Sequence, residues 1–143
     1  MTKKRVLFVC IHNSARSQMA EELLRKLGGQ NFEVESAGIE TGKLDPTVVQ
    51  ILKEDEGIDI SSKSTQSVQD LINKNKNYDF VITVCDETSA QKCPTFPGKA
   101  TRLHWSFPDP SQFNGPPEEK LAKTRQVKEG IRERIDLWLR SPK

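Results

Sequence analysis

The stretch VCIHNSARSQMAE, residues Val9 to Glu21, decides the fold because a strand passes into a helix within it. It continues the apolar, β-branched and aromatic run 5–9, which is typical of a strand buried on both faces. Residues 14–27 then place apolar side chains at helical spacing. The polar loop between them begins at a cysteine, Cys10, and ends at an arginine, Arg16. A strand, a polar loop and a helix in this order predict the start of an α/β fold.

The rest of the chain keeps alternating between strand and helix patterns. Strand patterns cover residues 32–37, 79–85 and 99–104, and helix patterns cover residues 45–57, 68–74 and 118–140. We therefore predict a single domain, residues 1–143, with a three-layer α/β/α fold and a four-stranded parallel sheet. Ligands bind beyond the carboxyl ends of such strands, so Cys10 and Cys85 should emerge at one edge.

Composition and charge exclude several classes of protein. Of the 143 residues, 34% are hydrophobic and 29% are charged, and the net charge is only +2. This charge favours neither nucleic acid nor an anionic membrane as a partner. No apolar run approaches the roughly 20 residues of a membrane span, and the N-terminal pattern lacks a signal-peptide cleavage site. We expect a cytoplasmic monomer.

Three cysteines, Cys10, Cys85 and Cys93, are an odd number, which disfavours a secreted disulfide framework. They lack the close pairs of a zinc site, and His12 and His104 do not complete one. We expect no metal and no cofactor. The thiols then serve either packing or catalysis.

The loop from Cys10 to Arg16 has the composition of an oxyanion cradle. Its backbone N–H groups can form an anion-binding nest, and the helix after it adds its positive end. The planar guanidinium of Arg16 matches two oxygens of a tetrahedral oxyanion. The same groups favour a thiolate at Cys10, which would be a nucleophile aimed at phosphorus or arsenic. We also expect a left-handed backbone at Asn13 and a hydrogen bond from Ser17 to the thiolate.

A cysteine and an arginine at this spacing also occur together by chance. Cys10 would then be a small buried residue and Arg16 a surface charge. Their position between a buried strand and a helix favours the functional interpretation, because the chemistry requires that context. The predicted oxyanion-binding residues are Ile11, His12, Asn13, Ser14, Ala15, Arg16 and Ser17.

The loop resembles the active-site loop of the low-molecular-weight protein tyrosine phosphatase superfamily, and NSxRSQMAE is more similar to its thioredoxin-coupled arsenate reductase branch. Further similar segments are SAGIE at 36–40, GIDIS at 57–61, VCDETSAQKCP at 84–94 and HWSFPDP at 104–110. The resemblance therefore spans nearly the whole chain in order. It implies an enzyme that acts on arsenate, with phosphate and sulfate as competing oxyanions. It also implies thioredoxin or another thiol–disulfide carrier as a partner.

The resemblance implies a relay of three catalytic cysteines. Cys10 attacks arsenate, Cys85 attacks Cys10 as arsenite leaves, and Cys93 attacks Cys85 to leave a disulfide for the carrier. A helix over residues 86–92 would hold the last two Cα atoms roughly 12 Å apart. A disulfide allows about 7 Å, so we expect this segment to rearrange on oxidation. Two departures from the family are Ala15, where many relatives have a cysteine, and a seven-residue spacer between Cys85 and Cys93, one longer than usual.

Asp109, within the sequence PDP, matches the general acid of the family, which would protonate the leaving oxygen. Without the resemblance, PDP would be interpreted as a turn. Met19, Trp105 and Trp138 are interpreted as packing residues, and the basic residues of the last helix as its solvated face.

Some relatives bind potassium near the loop through an asparagine, a glutamate, a serine and an aspartate. Asn13, Glu21 and Ser36 match these positions, but the aspartate position holds Gln66. The loss of this charge is why we predict no metal.

Two other functions remain open at this point. One is a low-molecular-weight phosphatase acting on phosphotyrosine or small phosphate esters, with Cys85 and Cys93 as redox regulators. The other is an oxyanion sensor without turnover, which a complete catalytic set of Cys10, Arg16 and Asp109 argues against. The pair Cys85 and Cys93 favours the reductase, because a phosphatase needs only the first thiol.

Overall fold

Four parallel strands form one sheet in the computed structural model, which describes residues 3–86, 91, 93 and 98–141. The strands are β1 (Lys4–Cys10), β2 (Phe32–Gly38), β3 (Phe80–Thr83) and β4 (Thr101–His104), in the order β2-β1-β3-β4. Strand β1 pairs with β2 along its whole length and with β3 over residues 6–9. Because β1 is central, residues 6–10 are buried. The predicted parallel sheet is confirmed.

Four α-helices in the described part of the chain connect and cover the strands. They are α1 (Arg16–Gly28), α2 (Pro46–Glu56), α3 (Val68–Asn73) and α4 (Pro117–Arg140), with 3₁₀ turns at Gly29–Asn31 and Pro110–Gln112. Helices α1, α2 and α4 pack on one face of the sheet, and α3 packs on the other. The predicted three-layer α/β/α arrangement is therefore confirmed. No helix in the described part of the chain is both long and apolar enough to cross a membrane.

Side chains of β1 alternate between two apolar clusters, as the period of a strand requires. Phe8 and Cys10 face the larger cluster, which contains α1 and α4, and Leu7 and Val9 face the smaller one with α3. Met19, Trp105 and Trp138 pack within or against the larger cluster, as expected. The two clusters lie on the two faces of the sheet, and each cluster contains at least one of the three cysteines.

Among the element boundaries that differ from the prediction, two lie beside the loop. Helix α1 begins at Arg16, just after the start predicted near Ser14 or Ala15, because the Ser14 carbonyl accepts a hydrogen bond from Asp45 N instead of from α1. Strand β3 ends at Thr83 rather than at Cys85. One more ladder bond joins Val84 N to β1. Strand β1 then turns into the loop, so Cys85 has no strand partner among the described residues.

The basic face of α4 is partly buried, so its interpretation as a solvated face was wrong at Lys128. This side chain is 3% exposed, and its Nζ lies 2.9 Å from both Asp55 Oδ2 and Glu56 Oε2. Glu56 also pairs with Lys26 of α1 at 2.8 Å and with Arg132 of α4. Burial would raise the pKa of Glu56, but hydrogen bonds from Arg132, Lys26 and Lys128 bring it down to about 2. The cluster joins three helices at one point.

We expect Glu56→Gln to lower the free energy of unfolding by about 2 kcal/mol at neutral pH, because Lys128 loses a buried counter-charge. The folded-state pKa of Glu56 lies below its ordinary value, so this contribution is present above about pH 4.5 and lost as the pH falls towards 2. Urea unfolding of wild type and variant should therefore converge in acid. Glu54→Gln, which removes an exposed partner of Arg125, is the control and should cost under about 0.5 kcal/mol. A difference independent of pH would contradict this account.

Candidate active site

The loop between β1 and α1 turns its carbonyl groups outward. Every carbonyl oxygen from residue 10 to residue 14 accepts a hydrogen bond of 2.9 to 3.1 Å. The donors, in chain order of the carbonyls, are the amides of Ile39, Glu40 and Gly42, the Gln18 side chain and the amide of Asp45. In a trans peptide each N–H points opposite to the preceding carbonyl. The amides of residues 11–15 therefore point inward, and they donate to no group in the described part of the chain.

Asn13 has the left-handed backbone that was predicted, with φ of 56°. Its side-chain Oδ1 accepts a hydrogen bond from Gln66 N at 3.1 Å, and its Nδ2 donates to Ser17 Oγ at 2.9 Å. This residue is 1% exposed. The hydrogen bonds of this buried side chain therefore stabilise the curved conformation of the loop.

Gly38 allows β2 to end directly against the loop. It lies opposite Cys10 in the strand register. A Cβ atom at this position would lie 2.4 Å from the Glu40 carbonyl oxygen and 2.7 Å from Asn13 N. Both contacts are with backbone atoms, so any side chain would displace the loop itself.

We expect Gly38→Ala to lower kcat/KM at least about tenfold, because misplaced loop amides no longer fit the oxyanion. Overpacking should also cost about 1–3 kcal/mol of stability. The matched control is Gly130→Ala in α4, where a Cβ would make only an ordinary contact of 3.7 Å with Phe107. Steady-state kinetics and thermal unfolding of both variants check this, and wild-type activity in Gly38→Ala would contradict the role assigned to the glycine.

Cys10 lies at the base of this loop, where β1 ends. It is 2% exposed, and its Sγ lies 2.8 Å from Ser17 Oγ. Because Ser17 Oγ already accepts a hydrogen bond from Asn13 Nδ2, its own hydrogen is available to the sulfur. The contact expected between Ser17 and Cys10 is present.

Arg16 is buried at the start of α1, which excludes the alternative in which this residue is a surface charge. It is 3% exposed, and its Nη1 donates to the Phe107 carbonyl at 3.1 Å. Its Nη2 lies 3.6 Å from Asp109 Oδ2. The guanidinium thus joins the loop to the segment that carries the predicted acid.

Asp109 caps a 3₁₀ turn with one carboxylate oxygen and faces the candidate site with the other. Its Oδ1 caps the 3₁₀ turn by accepting from Ser111 N at 2.9 Å and from Ser111 Oγ at 2.8 Å. Its other oxygen, Oδ2, faces Arg16. The turn therefore orients one carboxylate oxygen towards the anion loop, where a proton donor would be needed.

Cys85 and Cys93 lie on different faces of the sheet. Cys85 is fully buried in the larger cluster together with Cys10, whereas Cys93 packs in the smaller cluster. All three cysteines are in the reduced thiol form rather than in a disulfide. Burial raises the pKa of Cys85 to about 11, with smaller upward contributions from Cys10 and Asp86. Burial also raises the pKa of Cys93.

Comparisons with known proteins agree with this geometry. Residues 5–141 match the family described as low molecular weight phosphotyrosine protein phosphatase. The chain belongs to this family. Its relatives include arsenate reductases of Bacillus licheniformis, 43% identical over 136 residues and 94% of each chain, and of Oceanobacillus iheyensis, 38% identical over 142 residues and 99% of each chain. A solved arsenate reductase from Archaeoglobus fulgidus is 31% identical with a TM-score of 0.66, covering 92% of this chain and 98% of that one.

The residues that match the potassium ligands of some family members form one cluster here, but they do not fit a metal. Lys63 Nζ lies 2.9 Å from Glu21 Oε1, where its positive charge would repel a cation. The Gln66 side-chain amide donates to the Ser36 carbonyl at 2.9 Å. Within the described residues, no group of three or more histidine, cysteine, aspartate or glutamate side chains could hold a metal ion.

Two residues that contact the candidate site, Lys63 and Phe107, were not predicted from the sequence. Lys63 stands in a polar, capping-rich segment where a lysine has no distinguishing neighbours. Phe107 contributes only its backbone carbonyl, which any residue could supply. His12, in contrast, is as exposed as expected and contacts Glu40 at 2.7 Å.

Proposed function

We propose that this protein reduces arsenate to arsenite through a relay of Cys10, Cys85 and Cys93, acting as a single-domain cytoplasmic monomer. The observation that carries the proposal is a second buried thiol, Cys85, in the same cluster as Cys10 at the carboxyl edge of the sheet. Hydrolysis of a phosphate ester would need only one thiol. The arsenate reductase relatives at 38% to 43% identity support the same choice.

The first step is attack of the Cys10 thiolate on arsenic. The inward amides of residues 11–15 and the guanidinium of Arg16 bind the arsenate oxygens. A sulfur–arsenic bond forms, and one arsenic–oxygen bond breaks. Asp109, in its protonated form, gives its proton to the departing oxygen, which leaves as water. Arsenic remains in its pentavalent state.

The second step transfers two electrons. Cys85 attacks the sulfur of Cys10, the sulfur–arsenic bond breaks, and its electron pair stays on arsenic. Arsenite leaves, and a Cys10–Cys85 disulfide remains. This step is a thiol exchange, so it requires the Cys85 thiolate.

We expect the rate of this second step to rise about tenfold per pH unit between pH 7 and 9. The pKa of Cys85 is raised to about 11 by burial, so its thiolate fraction grows tenfold per unit below that value. Quenched-flow measurement of arsenite release in single turnover checks this. Asp86→Asn should accelerate release at pH 7, because Asp86 contributes to the raised pKa. A rate that does not change with pH would contradict this account of Cys85.

The third step moves the disulfide to where a carrier can reach it. Cys93 attacks Cys85, which frees Cys10, and a dithiol carrier such as thioredoxin then reduces the Cys85–Cys93 bond. Because the two residues pack in different clusters, the chain between them must rearrange first. The predicted rearranging segment, 86–92, lies mostly outside the described residues. Overall, arsenate and a dithiol give arsenite, a disulfide and water.

A phosphatase acting on phosphate monoesters is the second candidate. The same loop, Arg16 and Asp109 would bind phosphate and protonate its leaving group, which is the chemistry after which the family is described. In a phosphatase, Cys85 and Cys93 would take no part in the reaction and would serve only as redox regulators.

Parallel assays separate the two candidates. Wild type is given arsenate with a thioredoxin system, or p-nitrophenyl phosphate without a thiol. We expect sustained arsenite production and weak ester hydrolysis, with both lost in Cys10→Ser. Ester hydrolysis without arsenite production would establish the phosphatase instead.

A further inference from the structure

A buried chain of polar contacts leads from Lys63 towards the active-site loop. Lys63 Nζ lies 2.9 Å from Glu21 Oε1, and Ser36 Oγ donates to the same carboxylate oxygen at 2.5 Å. Glu21 is 6% exposed and Ser36 is 2% exposed. Asn13 Nδ2 then donates to Ser36 Oγ at 2.9 Å. These contacts join a lysine outside the loop to a residue within it.

The chain continues to the nucleophile. Asn13 Nδ2 also donates to Ser17 Oγ at 2.9 Å, and Ser17 Oγ lies 2.8 Å from Cys10 Sγ. The orientation of the Asn13 amide is fixed, because its Oδ1 accepts from Gln66 N. Only its two N–H hydrogens are therefore available to the two serines.

The charge on Glu21 determines the direction of the bond between Ser36 and Glu21, and the fixed Asn13 amide determines the others. An ionised carboxylate only accepts, so Ser36 gives its single hydroxyl hydrogen to Glu21 and accepts from Asn13. Ser17 likewise accepts from Asn13 and donates to the Cys10 sulfur. A neutral Glu21 could donate to Ser36 and compete with the Asn13 amide, which would loosen the chain.

A buried carboxylate stays ionised only if a positive charge is close. Arg25, whose side chain is half exposed, contacts Oε2 at 2.6 Å, an oxygen outside the chain. Lys63 contacts Oε1, the oxygen that also receives Ser36. The Lys63 nitrogen is buried and makes no well-aligned hydrogen bond within the described residues. It therefore acts on Glu21 through its positive charge and not as a directional hydrogen-bond donor.

We propose that Lys63 is a positioning residue that acts as a built-in cation on Glu21 and thereby keeps Ser17 oriented as a donor to the Cys10 thiolate. Activity should therefore not require an added metal ion. The inference rests on the proposed role of Cys10 as the nucleophile.

The test is the pH dependence of Cys10 alkylation by iodoacetamide, followed by mass spectrometry of the Cys10 peptide. We expect Lys63→Met to move the midpoint up by about one pH unit, which slows alkylation about tenfold below the midpoint. Lys63→Arg should restore the wild-type profile. The other charged or ionisable groups around Cys10, namely Arg16, Cys85 and Asp109, are unchanged in both variants.

Two further variants distinguish an effect of Lys63 that passes through Glu21 from a direct electrostatic effect of the Lys63 charge on Cys10. Glu21→Gln, which is isosteric, should shift the midpoint upward by itself, and adding Lys63→Met to it should have no further effect. Arg25→Met removes a charge from the other carboxylate oxygen and should shift the midpoint much less. These controls also cover the possibility that Lys63→Met folds poorly, since Glu21→Gln retains Lys63.

A wild-type midpoint in Lys63→Met or in Glu21→Gln would overturn the inference. So would an equal shift by Lys63→Met with and without Glu21, because the charge would then act directly on Cys10. Alkylation requires neither arsenate nor the other two cysteines. Failure of the relay would therefore leave this result interpretable, and failure here would leave the relay untouched.

Discussion

A Cys93→Ser variant is expected to release one arsenite per chain and then stop, with Cys10 and Cys85 joined by a disulfide. Cys85 packs beside Cys10 and can complete the second step, whereas the bond that this leaves is buried away from any carrier. Multiple turnover with a thioredoxin system should fall about 10³-fold or more. Arsenite counting and disulfide mapping by mass spectrometry measure both effects.

Cys85→Ser is the companion variant and should release no arsenite, because the remaining thiol, Cys93, packs in the cluster on the other face of the sheet from Cys10. Both variants keep Cys10, Arg16 and Asp109, so any hydrolysis of p-nitrophenyl phosphate should persist. This hydrolysis serves as the control for folding of the site. Sustained turnover by either variant would show that the relay does not use that cysteine.

Arg16→Lys is expected to lower kcat/KM for arsenate about 10²–10³-fold. Lysine keeps the charge but loses the planar fork that binds two oxyanion oxygens at once. It also loses the hydrogen bond to the Phe107 carbonyl and the contact with Asp109 that hold the acid segment. Steady-state kinetics with arsenate and with a phosphate ester check the effect on both reactions.

Arg125→Lys provides a matched control for this substitution. Arg125 binds Glu54 and Asp55 on the outer side of α4, where its fork contacts no part of the site. The exchange should leave kcat/KM unchanged. If Arg16→Lys were within about threefold of wild type, the role of the guanidinium in binding the oxyanion would be wrong.

The loop was predictable because several independent constraints coincide in a few residues. An apolar strand, an asparagine suited to a left-handed backbone and an arginine at the start of a helix all point to one local geometry. Asn13 and Ser17 adopt the conformation and contact expected of them. Parallel strands also place Cys10 and Cys85 at the same edge of the sheet, as alternation of strands and helices predicts.

Features that depend on distant partners were not predictable from local pattern. The burial of Lys128 follows from Asp55 and Glu56 on another helix, 73 and 72 residues away in sequence. Lys63 meets Glu21 only after α1 and the segment before α3 pack together. The early end of β3 depends on the turn of β1 into the loop. A lysine in a polar segment carries no signal of such contacts.

The most direct test of the relay is a reaction of the fully reduced wild-type protein with excess arsenate and no external thiol. Each chain holds three thiols, so two electrons are available, and we predict one arsenite per chain. Peptide mapping should then find a Cys85–Cys93 disulfide and a free Cys10 thiol. No arsenite, or one arsenite with the disulfide at any other pair, would contradict the three-cysteine relay.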